Sequence, residues 1–300
     1  FGLNLKNLNS IGKNAQNYKS SPQVELLSLI NIDTSIPMVK DSEYYTNYLT
    51  PRLSFKFNPS DMKDKSSSTN TINVGNIFSN NRLGFNDTFE AGKSLTLGLN
   101  FKKEKKNNLK EENDTLEKIN KYFEIKLATV LRDKEEELLP RKSTLNRKNS
   151  NLFGSISNNF SDNLNLSYNF ALDNNYKNFE YNSITAEVSL NDFITKFKFI
   201  EENGEMGDSN VFENEIGYKF NEKNYLSFNT RRNRKLNLTE YYNLVYEYKN
   251  DCLVAGIKYK KSYYEDRDLK PTENFLFTVT LFPLTTYEHD TQDLFKDLFN

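Results

Sequence analysis

The sequence has no tryptophan, one cysteine, one histidine and three methionines in 300 residues. A single cysteine excludes a disulfide within the chain. A single histidine, His289, argues against histidine-based catalysis and excludes a multi-histidine metal centre. Charge of one sign is also missing. The 40 basic and 41 acidic residues leave a net charge of -1, with a pI near 6.1, whereas a nucleic-acid surface requires a basic patch or stripe. No apolar run approaches the roughly 20 residues that a helix needs to cross a bilayer, and the mean hydropathy is -0.76. Neither Met nor a signal peptide opens the chain at Phe1, which is read as a mature protein or a fragment. What the chain has instead is aromatic content. Its 23 Phe and 18 Tyr raise the aromatic fraction to 14%, although only 36% of residues are hydrophobic.

These residues follow a period of two, the signature of strands with one apolar and one polar face. From Thr239 to Leu284, Tyr242, Leu244, Tyr246 and Tyr248 share one side; Leu253, Ala255, Ile257 and Tyr259 follow after Asn250-Asp251. Beyond a charged connection, Glu265 to Lys270, come Phe275, Phe277, Val279 and Leu281. Leu95, Leu97, Leu99 and Phe101 repeat the pattern earlier, as do Leu164, Leu166, Tyr168, Phe170 and Leu172. Nearly every strand is half polar, as if both faces met a solvent, lipid on one side and water on the other.

The connections decide between a soluble sandwich and a membrane barrel. Ser161-Asp162, Asn191-Asp192, Asn221-Glu222-Lys223 and Asn250-Asp251 are tight, and the polar connections between them are longer. Strict alternation of this kind gathers the long loops at one end of a sheet, as in outer-membrane barrels. The fold expected is all-β, an antiparallel transmembrane β-barrel of outer-membrane type with about 14 strands of a larger barrel. It spans 1–284, with a long loop insertion at 58–93 and a C-terminal periplasmic tail at 285–300. The second part of that insertion, with apolar anchors Ile77, Phe78, Leu83, Phe85 and Phe89, is expected to be folded. The same parity makes Lys102–Glu117 an unusually long turn at the other end.

No residue set points to catalysis, a metal or a cofactor, so a non-enzymatic role is expected. The lumen-facing polar residues Lys196, Lys198, Glu213, Glu215, Glu247, Lys258 and Lys260 either guide an anionic ligand or solvate a water-filled interior. Phe160, Tyr181, Phe193, Tyr225, Tyr241 and Tyr263, near strand ends, are candidates for aromatic girdles at the membrane interfaces. Cys252 follows a tight turn on the lumen parity. It is either a packed free thiol or one with a partner elsewhere.

Three blocks together resemble the lipopolysaccharide-assembly outer-membrane family LptD (OstA): NIFSNNRLGFNDTFEAGKSLTLGL (76–99), YYNLVYEYKNDCLVAGIKYKKSYYEDRD (241–268) and NFLFTVTLFPL (274–284). The first is similar to the family's Asn-Arg-x-x-Gly-x-Asp segment, with Arg82 and Asp87 at the matching places. The second is similar to its late hairpin, where cysteine follows the turn. The resemblance covers most of the chain. It implies a barrel of about 26 strands, of which this would be the C-terminal half, and an N-terminal periplasmic jellyroll outside this sequence. It implies a disulfide from that domain to Cys252; the adjacent position is Asp251, so at most one such bond forms. Further implications are partnership with lipopolysaccharide, the plug lipoprotein LptE, a periplasmic Lpt bridge and the barrel-assembly machinery. The last strand, with Asn274, Phe275, Phe277, Val279 and Leu281, would form one lip of a lateral gate. The alternative is a porin or receptor-type outer-membrane barrel.

Overall fold

The computed structural model describes residues 1–12, 20–106, 121–161, 163–264, 270–281 and 285–290. Sixteen strands are present among them: β1 (Gly2–Ser10), β2 (Gln23–Ser35), β3 (Met38–Asp41), β4 (Tyr45–Asn58), β5 (Gly92–Lys105), β6 (Tyr122–Arg132), β7 (Leu152–Ser161) and β8 (Leu164–Leu172) form the first half. β9 (Phe179–Leu190), β10 (Phe193–Glu202), β11 (Ser209–Asn221), β12 (Asn224–Asn233), β13 (Leu238–Lys249), β14 (Leu253–Ser262), β15 (Thr272–Leu281) and β16 (Thr285–Asp290) complete it. They form one antiparallel sheet in which each strand pairs with its neighbours in sequence, except that β3 folds back on β4 beside the β2–β4 pairing. Among the described residues β1 pairs only with β2 and β16 only with β15, so the sheet is open.

The expected count of about 14 strands misses two, β3 and β16. Neither carries the pattern on which the count rested. Met38–Asp41 is four residues long, and Thr285–Asp290 (TTYEHD) has no alternating apolar residues. β16 also lies within the stretch expected as a tail. The expected turns at Asn191-Asp192, Asn221–Lys223 and Asn250-Asp251 join β9 to β10, β11 to β12 and β13 to β14. Asp162, most of the expected turn Lys102–Glu117 and residues 265–269 lie outside the described residues.

Alternation sorts the side chains as the sequence requires. Leu97, Leu99, Leu166, Ile184, Ile216, Leu244, Ile257 and Phe277 are exposed on the apolar face, with no protein layer over them. Rings on this face meet across strands, as in Phe199–Phe212 (5.1 Å between centroids) and Tyr259–Phe275 (4.8 Å). The buried core lies on the opposite, polar face, at β5–β8. There Ala128, Val130, Phe153 and Ala171 pack with Ile72, Ile77, Leu83, Phe85, Leu139 and Leu145 from two long connections. The expected girdle divides. Tyr181 packs against this core and Tyr241 lines the polar face, while Phe160 is exposed.

Candidate functional site

The polar face carries two arrangements: a folded insertion held by buried charge over β4–β7, and an open charged recess over β9–β14.

The insertion is the 59–91 connection between β4 and β5. Its Asn81–Asp87 segment turns tightly. The Asn81 side chain accepts from Phe85 N (2.9 Å) and donates to Phe85 O (2.9 Å), and Gly84 takes φ +71°, where an L side chain is strained. This turn buries Leu83 and Phe85 and sends the Arg82 guanidinium back to the sheet. Arg82 donates to Thr96 Oγ1 (3.0 Å) and Ser94 Oγ (3.0 Å) on β5, and through Nε to Glu90 Oε2 (2.7 Å). Its Nη2 and Arg132 Nη1, from the end of β6, share Glu90 Oε1, and Arg132 also donates to Ala91 O. Lys56, on β4, donates to Ser79 O. The Arg82 and Arg132 side chains are each 1% exposed and that of Glu90 is 11% exposed. Burial pushes the Glu90 carboxyl up, but Arg82, as charge and donor, with Arg132 and Lys56, outweighs it and holds the pKa at about 2.

Packing completes the attachment. Phe78 stacks under the Arg52 guanidinium (4.2 Å) and lies so close over Gly98 that a Cβ there would collide with the ring. Asn58 Nδ2 donates to Phe89 O (3.3 Å), and Lys6 of β1 donates to Asn86 O (3.0 Å). The second connection, 133–151, joins the first through Lys65 N to Leu138 O (2.9 Å). A third, between β10 and β11, adds buried Met206 and the Arg147–Glu205 pair (3.2 Å). Three long connections at one end of the sheet therefore form a single folded unit on its polar face. The expected folding of Ile77, Leu83, Phe85 and Phe89 is present, all four being buried.

The two motif residues serve different ends. Arg82 is the hub of the buried cluster. Asp87 pairs with Lys65 (2.9 Å) at a partly exposed position; burial raises its carboxyl, and the Lys65 hydrogen bond and charge more than offset that, so its pKa is lowered.

The recess, of about 640 Å³, is lined by Lys196, Lys198, Glu213, Glu215, Lys258 and Lys260, six of the seven expected lumen residues. Glu247 lines a neighbouring recess of about 750 Å³ with Tyr225 and Asp192. Cross-strand register makes the wall of the first recess a charge lattice, with Lys196 opposite Glu215 and Lys198 opposite Glu213. Glu213 bonds Arg231 (2.7 Å) and lies 3.6 Å from Lys198, and Arg231 also meets Glu240 (2.6 Å). Lys260 lies over the Tyr241 ring (5.6 Å).

Cys252 is free and exposed at the β13–β14 turn, where its backbone N–H bonds Asn250 Oδ1 (3.0 Å). With one cysteine in the sequence it has no disulfide partner in this chain. Asn274, Phe275, Phe277, Val279 and Leu281 lie on β15, which is hydrogen-bonded on one side to β14 and on the other to β16. The expectation that this strand is the last is therefore corrected. Among the described residues β16 is the edge at this end of the sheet.

Sequence reasoning missed Lys56, Glu90, Ser94, Thr96 and Arg132. For the strand residues the one local signal was parity; Glu90, in the connection, had none. Ser54 and Lys56, and Ala128, Val130 and Arg132, share the polar face of their strands at the long-loop end.

A family model described as "LptD: LPS transport system D" matches residues 4–201. No curated protein matches the chain. Among solved structures, one described as "Asymmetric conductivity of engineered proteins" aligns at 10% identity over 96% of this chain and 93% of its own, with a TM-score of 0.41. A triple mutant of the Rhodopseudomonas blastica porin aligns at 9% identity over the same shares, with a TM-score of 0.40.

Proposed function

Because the chain belongs to the LptD family, LPS transport system D, we propose that it is the barrel component of an outer-membrane translocon that inserts lipopolysaccharide into the outer leaflet. The family match over 4–201 carries this reading. The sheet supports it. Its apolar face is uncovered, as a lipid-facing wall requires, and its polar face is wet and charged, as a lumen requires. The proposed role is physical transfer without a catalytic step. Lipid would leave laterally at a free strand edge, with the saccharide on the polar side. Among the described residues β16, and not β15, is the edge at this end of the sheet. Within the same reading, the plug lipoprotein LptE, a periplasmic Lpt bridge and the barrel-assembly machinery are the proposed partners. The exposed Cys252 is the thiol assigned to a disulfide with a periplasmic domain.

The deciding experiment is depletion of the full-length protein followed by measurement of surface lipopolysaccharide. The expected result is a loss of newly inserted surface lipopolysaccharide before any loss of small-solute uptake. Loss of uptake with normal surface lipopolysaccharide would favour a porin and overturn the reading.

Orientation is tested separately. The long connections are assigned to the cell exterior and the tight turns to the periplasm. A cysteine introduced at Ser67 is expected to react with an impermeant maleimide on intact cells, and one at Asp192 only after the outer membrane is breached. External reaction at Asp192 would reverse the orientation.

A further inference from the structure

Adjacent arginines on β12 meet opposite fates. Arg231 points to the polar face, where Glu213 and Glu240 neutralise it. Arg232 lies on the apolar parity, opposite Phe212 in register, is exposed, and donates through Nη2 to Asn237 Oδ1 (2.6 Å). Two residues on, the exposed Arg234 guanidinium lies 5.1 Å over the Phe212 ring. Phe212 in turn packs on Phe197 (5.6 Å) and Phe199 (5.1 Å), an aromatic group of the apolar face. Two nearby bases are matched within the chain, Lys235 by Asp208 and Lys261 by Glu273. Neither Arg232 nor Arg234 has a carboxylate partner among the described residues.

Two guanidiniums with no carboxylate partner among the described residues thus sit where an apolar, lipid-facing aromatic band meets the long-loop end. A guanidinium presents a planar fork of donors that fits a phosphate bidentately. Rings at the headgroup level anchor such a surface at the membrane interface. We propose that Arg232 and Arg234 form a docking site for the phosphate of an anionic membrane lipid, with Phe197, Phe199 and Phe212 against its acyl chains. The inference rests on the membrane reading above but adds to it a site on the outer wall, separate from the lumen and the strand edges. The missing counter-charge is what selects the occupant. A zwitterionic lipid brings its own cation, whereas an anionic lipid brings the net negative charge that no described residue supplies here and that Glu213 and Glu240 supply around Arg231.

The test uses the full-length protein in phosphatidylcholine vesicles containing spin-labelled phosphatidic acid or spin-labelled phosphatidylcholine. The expected result is a preference for phosphatidic acid that falls roughly tenfold in Arg232→Gln/Arg234→Gln, as for loss of charge-assisted hydrogen bonds. It should be unchanged in Lys177→Gln, an exposed base on another loop at the same end. Arg232→Lys/Arg234→Lys keeps the charge without the fork and is expected to fall between. Heat-modifiable mobility reports insertion independently. An inserted wild-type protein without the preference, or a double variant that retains it, overturns this site alone. Equal competition by inorganic phosphate overturns it too, since the site would then take a soluble anion. Failure of the wild-type protein to insert overturns the membrane reading together with it.

Discussion

Glu90→Gln is expected to release the 59–91 insertion from the sheet. The substitution preserves shape and removes the carboxylate that Arg82 and Arg132 share and that acts on Lys56, so buried cations are left facing one another. Breaking a buried pair by removing one partner costs about 3–5 kcal/mol, far more than a surface pair is worth. The insertion should become cleavable by protease, and the amides of 76–90 should lose hydrogen-exchange protection while the β9–β14 strands keep theirs. Asp87→Asn is the contrast: its Lys65 partner is partly exposed, and the change should cost under about 1 kcal/mol. The pH dependence follows from the sign of the shift. The Glu90 pKa is lowered from its ordinary 4.5 to about 2, so the cluster's contribution is complete above about 4.5 and is lost as pH falls towards 2. The insertion should stay protected at pH 5 in the wild type and be open at every pH in Glu90→Gln. Equal protection of the two proteins at neutral pH would mean that apolar packing alone holds the insertion.

The second large effect concerns the faces of the sheet. Leu166→Arg and Phe197→Arg place a charge on the apolar face, where Leu166 is 37% exposed and Phe197 packs on Phe212. At the middle of a bilayer such a charge costs about 2–4 kcal/mol in a barrel wall. Ser167→Arg, one residue away, and Lys198→Arg, on the polar face, should be tolerated. Heat-modifiable gel mobility of membrane fractions reads the result. Similar losses for both pairs would remove the basis for a lipid-facing and a water-facing side.

The sheet was legible because its information is local. Leu164, Leu166, Tyr168 and Phe170 alternate with Asn165, Ser167 and Asn169, and one such pattern names both the strand and its faces. Asn191-Asp192 and Asn250-Asp251 announce their turns in the same way. β16 was invisible because Thr285–Asp290 earns its place through backbone pairing with β15 and shows no apolar rhythm. The charge cluster was hidden for another reason. Lys56, Glu90 and Arg132 are far apart in sequence, and each looks like an ordinary wet residue of a strand end or loop. Their significance depends on which strands lie side by side and on an insertion turning inward. Arg82 was found through a motif, not through its chemistry. The recess residues share one wall because a polar parity places charges together without any knowledge of their partners.

The neighbour-to-neighbour order of the strands, interrupted at β3, also bears on how the chain acquires its shape. Closing a hairpin over a two-residue turn, as between β9 and β10, sacrifices little chain freedom, so these pairs can form locally and early. Joining β4 to β5 across the roughly thirty residues between Asn58 and Gly92 is harder by about 2 kcal/mol of closure entropy. Little is gained there until Arg82, Phe78 and Leu83 find β5 and β6, because the connection's partners are that wall and the 133–151 connection that folds over it. The late half of the sequence is thus built to zip, and the early half to wait. The Arg82–Glu90–Arg132 contacts do not merely fasten a finished wall; they reward the slowest closure in it.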